Sequence, residues 1–141
     1  LQSATLSEIE SLIQAFEACT LPRALWTHAA HLTVAFGYLV KFPRLEASDR
    51  LRQGIQRYNH SAGIQTTRDS GYHETLTLFW IHIVHRYIRD SAIRSVTPDN
   101  LHRLIEQCGD PQLPLRYYSR DRLFSWEARL NWLEPDLQLL P

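Results

Sequence analysis

The sequence predicts an all-α fold: a single-domain bundle of five or six helices, spanning 1–141, around a buried central helix at about 70–89. Three observations carry this. Apolar residues recur at three-and-four spacing in successive segments divided by Pro- and Gly-bearing breaks. No alternating apolar and polar segment is joined to another by a hairpin turn. The stretch Ser70 to Arg89 is apolar on almost every side, through Leu76, Leu78, Phe79, Trp80, Ile81, Ile83, Val84, Tyr87 and Ile88. A helix without a broad polar face belongs inside other elements.

Length and composition agree. A chain of 141 residues with 44% hydrophobic and 21% charged residues fits one globular domain with a genuine core. Fifteen basic and fifteen acidic residues cancel, so no basic stripe argues for nucleic acid. Cys19 and Cys108 form no C-x-x-C motif, and two thiols at this size need no bridge, so a cytoplasmic setting is expected. No apolar run approaches a membrane span, and the opening L-Q-S-A-T has no basic leader region.

Taken in order, the first helix covers Ser7 to Ala18, capped by Thr5 or Ser7, with Ile9, Leu12, Ile13 and Phe16 on one face. The second runs from about Pro22 to Val40, and its small residues Ala29, Ala30, Ala35 and Gly37 permit close packing on the central helix. A third, about Ser48 to His60, follows a Ser cap and buries Leu51, Ile55 and Tyr58. Residues 61–69 are a polar connector suited to a loop over a site. Thr97-Pro98-Asp99 starts the fifth helix, which ends at Gly109. The last begins near Ser119 or Asp121 and continues to about Trp132.

Seven histidines are unevenly placed. His28 and His31 lie three apart and share a helical face. His73 falls in the first turn of the central helix, where the dipole disfavours imidazolium. In helix bundles such pairs, joined by a third ligand from a neighbour, build metal sites. His28, His31 and His73 thus form a candidate three-nitrogen site for a divalent ion (zinc, nickel or iron), with an open position for water or substrate. Glu74, adjacent to His73, is the candidate catalytic residue, either orienting an imidazole or acting as general base. His82 and His85 sit in an apolar run and read as structural. Near the C-terminus Tyr118, Arg120, Ser125 and Arg129, with Tyr58 and Asn59 from the third helix, are candidates to line a pocket for a small anionic or amide-bearing molecule.

Three segments, W-T-H-A-A-H-L at 26–32, G-Y-H-E-T-L-T at 71–77 and Y-S-R-D-R-L-F-S-W-E-A-R-L at 118–130, resemble a family of small bacterial helical proteins of unassigned function. That resemblance implies a helical fold and no particular substrate. More loosely, the chain is similar to the damage-inducible metal-binding helix-bundle superfamily, whose members include thiol-dependent transferases. That group carries one early histidine and a later H-x-x-x-H pair; here the pair is early and spaced H-x-x-H.

Three readings of function follow. The first is a metal-binding bundle with an adjacent small-molecule pocket. The second is a metal-free pocket that binds or transforms a small anion, with His28 or His73 as acid–base. The third is an interaction module, with Trp26, Trp126 and Trp132 on an exposed apolar patch.

Overall fold

The structure, a computed structural model, describes residues 4–141. Among these the chain is all-helical: α1 (Leu6–Glu17), α2 (His28–Lys41), α3 (Arg44–Ser61), α4 (Glu74–Asp90), α5 (Pro98–Cys108) and two short helices, α6 (Arg120–Leu123) and α7 (Trp126–Leu130). No helix among them is long and apolar enough to cross a membrane.

Local chemistry explains most boundaries. Thr5 caps α1 with a full capping box to Glu8, and Thr97 does the same for α5 with Asn100. The second helix starts later than its periodicity predicts. Arg23–Leu25 is a 3₁₀ turn, and the Thr27 hydroxyl accepts from the Ala30 amide, so α2 begins at His28. The third starts earlier, at Arg44 after Pro43 rather than at a Ser48 cap. The expected last helix is two helices: Ser119 caps α6 and Ser125 caps α7.

Three helix ends are Schellman turns, in which the amides of the two residues beyond the cap return to carbonyls of the last turn. After α3 the left-handed position is Gly63, but after α1 it is Cys19 (φ 57°) and after α4 it is Ala92 (φ 51°). Each non-glycine residue there carries a steric penalty of about 1–2 kcal/mol.

The centre of the bundle is shared. No residue of α4 before Arg89 is fully exposed, as its apolar circumference requires. One side, with Ile81, Val84 and Tyr87, enters the main core beside Phe16, Leu32, Phe36, Leu51 and Leu104. The other, with Phe79 and Ile83, packs on a second cluster containing Tyr118 and Leu123 from the C-terminal segment. Helix α2 is buried more completely than α4, from Leu32 through Phe36 without interruption. The central axis is therefore a pair of packed helices, α2 and α4.

A polar clasp holds the C-terminal segment to α4. Thr75, fully buried, donates to the Asn131 carbonyl at 2.6 Å and accepts from the Leu133 amide at 3.1 Å.

Candidate functional site

A cavity of about 330 Å³ lies among α2, α3 and the N-terminal half of α4. Leu32, Leu51, Ile55, Leu76 and Ile81 make most of its wall apolar, and Trp26 and Trp80 add two indoles. Its polar lining is His28, His31, Asn59, Tyr72, His73 and Thr77. No Lys, Arg, Asp or Glu lines it.

His31 is fixed by its own helix start. Its Nδ1–H donates to the Thr27 carbonyl at 2.7 Å, which leaves Nε2 as the lone-pair nitrogen. The ring stacks on Trp26 at 3.7 Å between centroids, and Trp26 stacks in turn on Phe16 at 4.8 Å. Burial in this stack lowers the imidazole pKa to about 4, against the opposing pull of the Thr27 backbone. His28, one turn earlier, packs edge-on to Trp80 at 4.7 Å. Burial also lowers its pKa, partly offset by the Gly109 backbone and the Asp110 carboxylate. Its Nε2 is buried and has no hydrogen-bond partner. A buried polar atom left unpaired costs about 1–3 kcal/mol.

His73 plays a different part from the one its sequence position suggests. It is the N-cap of α4: its Nδ1 accepts from the Leu76 amide at 3.1 Å, and its Nε2–H donates to the Leu123 carbonyl at 2.8 Å. Burial lowers its pKa as well. With both ring nitrogens committed to backbone groups, it has no lone pair to give a metal. His28, His31 and His73 therefore do not fit a three-histidine ion. Among the described residues no group of three or more His, Cys, Asp or Glu side chains is placed to hold one.

Glu74 faces away from the cavity chemistry. It forms a two-pronged ion pair with Arg52 of α3, through Nε at 3.2 Å and Nη2 at 2.5 Å, and accepts from the Tyr72 hydroxyl. Such an engaged carboxylate positions Tyr72, which does line the cavity, and burial together with Glu74 pushes the Tyr72 phenol above its ordinary range. Sequence reasoning missed Arg52, Tyr72 and Trp80. The last two belong to the very segment that carries His73, and Arg52 is legible only once α3 is laid beside α4.

Of the pocket residues expected from the sequence, only Asn59 lines the cavity, buried at 8% exposure. Tyr58 is buried beside it, but its hydroxyl donates to the Leu21 carbonyl at 2.7 Å. Tyr118 is buried and donates to the Leu133 carbonyl at 2.7 Å. Ser125 is spent as the α7 cap and on the Arg122 carbonyl. Arg120 is exposed on the surface. Arg129 is buried and reaches back to the Gly71 and Tyr72 carbonyls, at 3.0 and 3.4 Å, pinning the chain just before His73. Tyr58, Tyr118 and Arg129 serve backbone carbonyls far away in sequence, so they brace the structure around the cavity rather than line it. The tryptophans expected on an exposed patch are also partly buried: Trp26 in the stack, Trp132 edge-on to Tyr118, and Trp126 beneath the Arg68 guanidinium.

Set against known proteins, the chain matches no family model, no curated protein and no solved structure.

Proposed function

We propose that the protein binds a small neutral organic molecule in the cavity among α2, α3 and α4, a molecule with a flat apolar body and a hydroxyl or N–H group. The observation that carries this reading is a concave, mostly apolar space of about 330 Å³ whose lining includes two imidazoles that burial keeps neutral, His28 and His31. Ligand sites are of this kind: an apolar pocket with a few convergent polar groups. The volume equals roughly ten waters at ~30 Å³ each, room for one compact ring system.

Charge selects the ligand. An anion would find no Arg or Lys in the lining, and the histidines are held neutral at physiological pH by burial. Burying an unpaired charge there is costly. That removes the support for an anionic ligand that Arg120 and Arg129 offered in the sequence. His31 Nε2 accepts a hydrogen bond, Trp26 and Trp80 flank the apolar body, and Asn59 and Tyr72 supply further polar contacts. An imidazole with a pKa of about 4 is a weak general base, so binding is favoured over proton abstraction.

Calorimetry with matched pairs, such as benzyl alcohol against benzoate, tests this. The neutral member should bind, the carboxylate should not, and Ala35→Leu, which fills the cavity from its buried wall, should abolish binding while leaving the circular dichroism unchanged. Preferential binding of carboxylates, or stoichiometric metal in protein purified without a nickel column, would overturn the reading.

A further inference from the structure

At the other end of α4 from the cavity, a groove of about 430 Å³ runs between the α2–α3 corner and the turn that follows α4. Its floor is apolar, made by Leu39, Phe42, Ile88 and Ile93, and Arg44, Arg89, Arg94 and His85 stand around it. We propose that this groove is a second binding site, for an amphiphilic organic anion with a phosphate or carboxylate head on a short apolar tail.

Four observations converge. No acidic side chain lines the groove, although the chain as a whole is electrically neutral, so the positive charge is a local excess. Neither Arg44 nor Arg94 forms a salt bridge among the described residues, so both guanidiniums are open to a ligand. Arg89 has only its neighbour Asp90, at 3.5 Å and solvent-exposed. Such a pair contributes little and is easily exchanged for a better anion.

The cations also converge. Arg44 Nη1 lies 3.5 Å from His85 Nδ1, a contact too long and too weak to satisfy a guanidinium, whose planar fork suits phosphate and carboxylate. Burial opposes protonation of His85, and the nearby Arg44, Arg89 and His82 add to that opposition. An anion seated among these groups relieves that repulsion, and the apolar floor beneath it favours a ligand with a tail over a bare ion. The turn itself is built at a cost. Ala92 takes the left-handed conformation so that Ile93 returns over Ile88 and Arg94 returns to the rim.

The test is titration of the full chain with octyl phosphate, kept monomeric, followed by calorimetry and by NMR of backbone amides and histidine rings. Separate arms use inorganic phosphate, octanol and phosphatidylcholine vesicles with and without phosphatidic acid. Octyl phosphate should saturate one site, shift the signals of Ile88, Ile93 and His85, and raise the His85 pKa. Inorganic phosphate should bind about tenfold or more weakly, since about 1.4 kcal/mol separates each decade and each buried methylene adds to the gap. Octanol should leave His85 unmoved. The double variant Arg44→Gln/Arg94→Gln should lose about tenfold or more of the octyl phosphate affinity. Its thermal melt should stay within a few degrees of the parent, because both side chains are exposed. Unchanged affinity in that variant, failure of octyl phosphate to bind, or inorganic phosphate binding as tightly as octyl phosphate would overturn the proposal. Vesicle binding that outcompetes the monomer would replace it with a membrane-surface site. Ala35→Leu, which blocks the other cavity, should have no effect on any arm.

Discussion

The stacked, neutral His31 makes acid stability the sharpest quantitative consequence of the fold. Its pKa falls from an ordinary 6.5 when unfolded to about 4 when folded. Above pH 6.5 both states are neutral, and the native state keeps its full stability. As pH falls below 6.5 the unfolded chain takes the proton first, so stability is lost until about pH 4, where the folded ring protonates too. A gap of about 2.5 units at ~1.4 kcal/mol each gives at most about 3 kcal/mol, an upper bound because the ring is not wholly shielded from solvent. The perturbation that isolates it is His31→Asn. The Asn amide nitrogen replaces Nδ1–H and keeps the hydrogen bond to the Thr27 carbonyl, but it cannot titrate. Urea unfolding of both proteins at intervals from pH 7.5 to 4 supplies the assay. At neutral pH the variant should be about 1 kcal/mol less stable, having lost the stack on Trp26. Toward pH 4 it should lose about 2–3 kcal/mol less than the parent, so that the two curves cross. Contributions from His73 and His85 cancel in the difference, while the small mutual repulsion between His28 and His31 is part of the His31 shift and is lost with it. Parallel curves for parent and variant would refute the reasoning, because they would mean the ring titrates normally in the folded protein.

Other consequences are as specific. Gly71 has φ +87°, and a Cβ there would sit 2.5 Å from the Gln65 carbonyl oxygen, so Gly71→Ala should cost at least about 2 kcal/mol in urea melts and weaken cavity binding by displacing Tyr72 and His73. Thr75→Val removes the clasp to Asn131 and Leu133 and leaves a buried side chain without its two part-buried backbone partners; it should destabilise by about 1 kcal/mol and increase amide exchange at Leu133. Ala92→Gly relieves a left-handed alanine and should raise the unfolding free energy by a few tenths to about 1 kcal/mol, whereas the same change in a helix interior would lower it. His73→Ala removes a cap and leaves the Leu123 carbonyl unpaired; a loss of about 1–3 kcal/mol, with no change in metal content, is expected by chemical denaturation and elemental analysis.

How much of this was legible in the sequence depended on how local the cause was. Helices α1 and α5 were, because Thr5 with Glu8, and Thr97 with Pro98, place cap and apolar face within a few residues of each other. The start of α3 was not: Arg44, Leu45 and Glu46 bury nothing, with Leu45 83% exposed, so the apolar period begins only at Ala47. The break at Phe124 and Ser125 was hidden by a serine that reads as a pocket group and serves as a cap. The imidazole pair was visible from its H-x-x-H spacing, and both rings do line one cavity. The third histidine misled because the use of its ring is decided by Leu123, fifty residues away. Arg129 and Tyr118 misled for the same reason: a polar side chain declares its type in the sequence but not which distant carbonyl it will meet.

The proposed role turns on two cavity imidazoles, His28 and His31, that burial keeps neutral and that would take a neutral ligand. Nitrogen-15 spectra of the histidine rings at neutral pH test it most directly, recorded on metal-free protein alone, with added zinc, and with benzyl alcohol. His31 should appear as the neutral Nδ1–H tautomer and His73 as the neutral Nε2–H tautomer. Zinc should leave His73 unmoved, and the neutral ligand should shift His28 Nε2 or His31 Nε2. Simultaneous zinc-induced shifts of His28, His31 and His73, or imidazolium signals from the cavity pair, would contradict it.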